Sequence, residues 1–194
     1  MYGYGETVTL LGFTPKWWHV QIREHTGFVP ADGSALEQRT GNYYDGYATA
    51  QVHNPISTDR LNLRVEKTEN SASLGKYYNG CTVAIVQKGN DGWSRVRIGN
   101  LEGYMKNQFL DFNAPKDQQT EMLPKVTIQN SNGQGVNLRK QASTHVNAVA
   151  LYPNGTQVQV LGIAGEWCHV LIDGEIGFMM TQYLVPRLSF ESTR

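Results

Sequence analysis

Residues 155–180 read GTQVQVLGIAGEWCHVLIDGEIGFMM, and residues 5–30 read GETVTLLGFTPKWWHVQIREHTGFVP. Gly5, Val8, Leu11, Gly12, Trp17, His19, Val20, Ile22, Gly27 and Phe28 recur, each 150 residues later, as Gly155, Val158, Leu161, Gly162, Trp167, His169, Val170, Ile172, Gly177 and Phe178. A third copy lies midway at Gly80, Val83, Val86, Trp93, Val96, Ile98, Gly103 and Tyr104, shifted by 75 and then, after one extra loop residue, by 76. One small unit therefore occurs three times. Tandem copies of a small unit usually present several equivalent binding surfaces, whereas a catalytic centre rarely needs three copies of its scaffold.

The unit is a β unit. Valine and isoleucine alternate with polar residues over short runs, 20 glycines and 10 tyrosines punctuate them, and no window carries the long 3.6-residue stripe of a helix. The period cuts the 194 residues into units of about 65 to 75 residues, near the lower size limit for an independent core, for which a small barrel is the natural solution. Acidic and basic side chains balance at 17 each, so no net field draws the chain to nucleic acid or to an anionic membrane surface. No apolar run is long enough to span a membrane, and the basic and then apolar start of a secretory signal is missing.

The second and third units align nearly in full. Ala48 to Asn54 and Lys125 to Asn130 alternate as strands, and Leu61-Asn62-Leu63-Arg64 matches Val136-Asn137-Leu138-Arg139. A polar loop, a turn at Gly80 or Gly155, and a hairpin carrying Trp93 or Trp167 follow; Gly103-Tyr104-Met105 or Gly177-Phe178-Met179 then opens a last strand running to Phe109-Leu110 or Tyr183-Leu184. Polar linkers at 38–46 and 113–124 separate the units. This predicts complete barrels over 46–112 and 123–188, each closed by pairing its early strand with its last, with Leu63, Val83, Val96 and Ile98 in one core and Leu138, Val158, Val170 and Ile172 in the other. Residues 1–37 hold only the back half of a unit, as in a segment of a longer polypeptide. Half a barrel leaves an open edge. Its expected completion is by packing on the second barrel and the Tyr43, Tyr44 and Tyr47 linker, or by dimerisation through residues 1–37.

The order Asn-Leu-Arg, a Ser/Ala-rich loop, Gly, Val-x-Val, Trp-x-x-Val, then Gly-Phe or Gly-Tyr with an aromatic-Leu ending resembles the bacterial SH3 domain, also called SH3b or SH3 type 3. The resemblance implies an all-β fold of tandem small SH3-like β-barrels, two complete and one partial at the N-terminus. It also implies an exported, extracellular or cell-wall protein and a non-catalytic module that binds peptidoglycan or another cell-wall polymer. The alternative is a structural or protein-interaction spacer that docks a partner or hydrolase domain. Arg64 and Arg139 fit the pattern, but the position two after the repeat tryptophan is His19, Arg95 and His169 in turn.

Strand alternation puts Trp17, Trp93 and Trp167 on the face opposite the core residues, where a broad apolar ring with one donor can stack on a sugar or a peptide, or cover the barrel wall beneath a loop. Tyr77, Tyr78 and Tyr152 precede the turn glycines and either flank the same groove or pack in the turn. Arg64 and Arg139 can grip a carboxylate or tie a neighbouring loop. These residues, Trp17, Trp93, Trp167, Tyr78, Tyr152, Arg64 and Arg139, are the candidate ligand contacts. Neither a metal nor a cofactor is expected: His19 and His169 are equivalent, but Arg95 replaces them in the middle copy and arginine does not ligate metals in this way. Cys81 and Cys168 sit in strand contexts without metal-site spacing or an activating helix, and read as buried or half-buried thiols. Asp45, Glu102 and Asp173 are expected at solvated turns.

Overall fold

A computed structural model of the chain describes residues 9–13, 17–22, 25–30, 44, 46–114 and 122–188, the first three stretches by their backbone. The chain divides into two compact units, Met1–Thr40 and Gly41–Arg194.

The first unit is an antiparallel meander of β1 (Thr9–Phe13), β2 (Trp17–Ile22) and β3 (His25–Pro30), in the order β1-β2-β3. Leu10 pairs with Val20 but Gly12 with His19, so Leu11 is an extra residue in the ladder and β1 bends there. The expected completion of this half-unit lies outside the described residues.

The second unit holds two barrels of seven strands. The first comprises β4 (Ala48–Val52), β5 (Leu61–Arg64), β6 (Ser73–Tyr77), β7 (Thr82–Gln87), β8 (Trp93–Ile98), β9 (Leu101–Lys106) and β10 (Leu110–Asp111). The next comprises β11 (Lys125–Ile128), β12 (Val136–Arg139), β13 (Ala148–Tyr152), β14 (Gln157–Ala164), β15 (Trp167–Ile172), β16 (Glu175–Met180) and β17 (Leu184–Val185). We call them the second and third barrels, after the three sequence copies. The strand order β10-β4-β7-β8-β9-β5-β6 is repeated as β17-β11-β14-β15-β16-β12-β13. In each, the early strand pairs with the last, through Val52 and Leu110 in one and Ile128 and Leu184 in the other. The bulge of β1 recurs between Ile85 and Gln87 and between Val160 and Gly162.

Alternation explains what is buried. On β8, Ser94, Val96 and Ile98 face inward and Trp93, Arg95 and Arg97 outward. Leu63, Val83, Val96 and Ile98 are completely buried, as are Leu138 and Val170, with Val158 and Ile172 at 2% and 3% exposure. Each such side chain contributes about 1.5–3 kcal/mol, so these two sets are the main reason the barrels hold. Gly103 and Gly177 have a steric cause: a Cβ there would lie 2.6 or 2.7 Å from the carbonyl oxygen of Arg64 or Arg139, where β9 or β16 crosses β5 or β12. The turn glycines Gly80 and Gly155 adopt φ of 83° and 87°, a left-handed conformation that other residues avoid.

Beside these turns each barrel carries an asparagine clasp. Asn54 N–H donates to Asn79 Oδ1 at 2.7 Å while Asn79 Nδ2 donates to the Asn54 carbonyl at 3.0 Å; Asn130 and Asn154 do the same, both at 2.8 Å.

The two barrels share one 14-stranded sheet, because β6 pairs with β14 through Tyr77 opposite Gly162 and Lys76 opposite Ile163. Tyr78 N–H donates to the Leu161 carbonyl at 3.0 Å. Tyr77, 1% exposed, places its hydroxyl 2.9 Å from His169 Nδ1, and His169 stacks on Phe178 with centroids 4.2 Å apart. Leu161 and Ile176 of the third barrel pack into the core of the second. Tyr77 therefore flanks no groove; it is the centre of the joint. A Cβ on Gly162 would come within 2.7 Å of the Tyr77 ring and 2.8 Å of the Lys76 carbonyl, so only glycine lets the strands approach.

Candidate functional site

The outer face of β8 and β9 is the most chemically furnished surface of the described residues. Cross-strand pairing sets Trp93 beside Lys106, Arg95 beside Tyr104 and Arg97 beside Glu102. Arg64 holds the adjoining loop in place, donating from Nη1 to the Ser71 carbonyl at 2.6 Å, and Ser71 Oγ accepts the Glu66 N–H at 2.9 Å. That loop carries Lys67 and Glu69 to the face. Lys67 Nζ lies 2.9 Å from Asp91 Oδ2 and 5.7 Å from the Tyr104 ring centroid. Lys106 pairs with Glu69 and stands 5.7 Å from the Trp93 ring centroid.

The electrostatics favour the charged form of both carboxylates. Hydrogen bonds from Lys67 and from the Trp93 N–H hold the Asp91 carboxyl below its ordinary range, and Lys106 does the same for Glu69. These pairs are screened by solvent and add little to the stability of the fold. Their consequence is chemical: two half-buried aromatic faces, each with a cation beside it and a carboxylate next to the cation. Stacking and paired hydrogen-bonding groups suit a polar ligand with apolar faces, such as a sugar or a peptide. At the other end of the face Glu102 binds both Arg95 and Arg97, and Arg97 donates to the Tyr47 hydroxyl at 3.1 Å. Glu102 is thus a strand residue in an ion pair rather than a solvated turn acid. Tyr44 donates its hydroxyl to the Thr82 carbonyl at 2.9 Å, so the described linker tyrosines pack on the second barrel.

The same face of the third barrel has another fate. There Trp167 pairs with Met180, His169 with Phe178 and Leu171 with Ile176. His169, Ile176 and Phe178 are at most 5% exposed, because the second barrel lies on them. Burial pushes the His169 imidazole down to about 3, so it is neutral at physiological pH. The expectation of equivalent binding surfaces fails at this point.

The candidate contacts are accordingly scattered. Trp93 lies on the charged face, with Arg64 supporting it from beneath the loop. Trp167 is half-buried at the start of β15, and Arg139 donates to the Val146 carbonyl as Arg64 does to Ser71. Tyr78 packs against both barrel cores, with the Arg60 guanidinium 5.3 Å from its ring centroid. Tyr152 lies on β13 opposite Val136, and burial, with Asp173 and Glu175 adding to it, pushes its hydroxyl up to about 12. Trp17 begins β2 opposite Pro30; its side chain lies outside the described residues. The sequence reading missed Lys67, Glu69, Asp91 and Lys106. Only Tyr104, inside the repeat, had left a signal.

Nothing among the described residues activates a nucleophile. Cys81 and Cys168 are both buried free thiols; burial raises both, Cys168 to about 12, away from the reactive thiolate. His169 follows Cys168 but points to the opposite side of β15, toward Tyr77. No group of three or more His, Cys, Asp or Glu among the described residues is placed to hold a metal, and no described helix is long and apolar enough to cross a membrane.

A Bacillus subtilis (strain 168) protein, YrvJ, which carries the name of an N-acetylmuramoyl-L-alanine amidase, is 21% identical over 182 residues, covering 87% of this chain and 34% of its own length. This chain thus spans about a third of that relative. Among solved structures, NlpC2 from Trichomonas vaginalis is similar over 73% of this chain and 48% of its own, with 16% identity and a TM-score of 0.35. NlpC1 from the same organism is similar over 72% and 45%, with 17% identity and a TM-score of 0.36. The bacterial SH3 domain model matches residues 59–111 and 134–185, from just before β5 to β10 and from just before β12 to β17, more than half of the chain, which therefore belongs to the bacterial SH3 domain family.

Proposed function

We propose that this chain is a non-catalytic binding segment of an exported protein, and that the β8–β9 face of the second barrel holds a cell-wall polymer, peptidoglycan in the first instance. The observation that carries the reading is the open face itself: Trp93 and Tyr104 half-exposed, with Lys67, Lys106, Glu69 and Asp91 around them. Peptidoglycan offers matching chemistry, sugar faces for the rings and charged peptide termini for the ion pairs. The relative's name, referring to the junction of sugar and peptide in that polymer, supports the same ligand class and a place outside the cell. Retention on purified cell walls tests it: Trp93→Ala with Lys106→Ala should lower retention at least about tenfold, each lost contact counting for about 1 kcal/mol. Undiminished retention ends this reading.

A second reading is favoured by the β6–β14 joint: the barrels form a spacer that positions a partner or hydrolase domain and binds no polymer. Under it, the same double variant retains full wall affinity, or the wild type has none.

A further inference from the structure

The joint between the barrels uses a defined acceptor set, and that set is present twice. Leu161 supplies the carbonyl that takes the Tyr78 N–H, Gly162 the room for Tyr77, His169 the nitrogen facing the Tyr77 hydroxyl, and Phe178 the ring that backs the imidazole. Leu11, Gly12, His19 and Phe28 stand 150 residues earlier. They hold the same ladder positions: Gly12 pairs with His19 as Gly162 does with His169, and His19 with Phe28 as His169 does with Phe178. The bulge that bends β14 toward β6 is at the same place in β1.

The second barrel serves as the control. At these positions it has Val86, Gln87, Arg95 and Tyr104, Arg95 is bound to Glu102, and no described strand docks on the Gln87 end of β7. The set is thus occupied where the third barrel has it, and among the described residues no strand docks where the second lacks it. We propose that β1 is a docking edge for a strand of the β6 kind, Gly-x-Tyr followed by a residue with a free N–H, supplied by a further bacterial SH3 barrel.

Each element of that occupant has a cause. A Cβ on Gly75 would meet the Ile163 carbonyl and the Tyr77 ring at 3.3 Å, closer than ordinary contact, so glycine two residues before the tyrosine lets the strand dock without a shift of its neighbour. The tyrosine reaches the imidazole, and the next N–H bonds the bulge carbonyl. The chain's own β13 does not qualify. It has Ala150 in the place of Gly75, and Pro153, which has no N–H, in the place of Tyr78. β6 qualifies but is already engaged by β14. One acceptor position differs: Thr26 stands where the third barrel has Ile176.

Releasing β6 inside the full chain supplies the probe. Gly162→Val closes β14, and His169→Glu, which forces a carboxylate charge into the buried joint beside Phe178, is a second release in case the first unfolds the third barrel. In either variant the freed β6 is expected to move to β1 of a neighbouring molecule, slowing amide exchange across residues 9–13 about tenfold. Adding Gly12→Val should restore the wild-type rate. Unchanged exchange across 9–13 in both variants overturns the proposal, because either the free strand ignores β1 or docking never depended on the acceptor set. Slowing that persists with Gly12→Val overturns it equally.

Discussion

The outer faces of β8–β9 and β15–β16 share a backbone and differ in everything else. Both are three cross-strand pairs long and both begin with a half-buried tryptophan. In the second barrel the pairs after the tryptophan are charged or amphipathic, and the face stays open; in the third they are His169, Phe178, Leu171 and Ile176, and the face becomes a joint. A repeated fold conserves its inward residues because they make the barrel, while the outward ones are free to make either a binding surface or a contact. The close approach of the strands at the joint depends on glycine at the bulge, where the second barrel has Gln87.

The largest expected effect tests that substitution. Gly162→Val should destabilise the second unit by about 1–3 kcal/mol through overpacking against Tyr77, whereas Gln87→Val, at the equivalent exposed position, should change stability by less than about 0.5 kcal/mol. Chemical denaturation of the two variants measures the difference. Equal effects would break the comparison.

Removing the joint's polar contact comes next. Tyr77→Phe leaves buried His169 Nδ1 without its partner and should cost about 1–2 kcal/mol, while Tyr152→Phe, the equivalent change on the half-exposed edge, should be near neutral. The same contact gives a pH signature. His169 has its ordinary value of 6.5 when unfolded and is pushed down to about 3 by burial, so the unfolded chain binds the extra proton between these values. Stability from this group is complete above about 6.5 and falls as the pH is lowered toward 3, with a limiting slope of about 1.4 kcal/mol per pH unit. Thermal melts from pH 7 to 4.5 should show that slope in the wild type and a flatter profile in His169→Phe.

Much of this was legible in the chain. The repeat gave the tryptophan hairpin, the strand that follows it and the inward residues, because period-two alternation and a constant offset are local properties; the bulge in the first strand of the hairpin left no signal that was read. The joint was written there too, in a form that single-residue reasoning passes over: copies one and three agree at Gly12, His19 and Phe28, and the middle copy does not. His19, Arg95 and His169 were read only as an argument against a shared ligand. The charged cluster was not legible, since Lys67, Glu69 and Asp91 lie in loops and meet Trp93 and Tyr104 only when Arg64 folds one loop over the sheet. Arg64→Ala and Arg139→Ala should each loosen the loop that the arginine holds for about 1 kcal/mol, but only Arg64→Ala should also weaken wall retention.

The central claim is that one repeated face is a binding surface and its twin a joint. Retention of Trp93→Ala and Trp167→Ala on purified peptidoglycan, compared side by side at equal fold stability, measures that claim most directly. Loss of about fivefold for Trp93→Ala, corresponding to about 1 kcal/mol, with Trp167→Ala within about twofold of wild type, is the predicted result. Equal losses in the two variants, or a larger loss for Trp167→Ala, would contradict it.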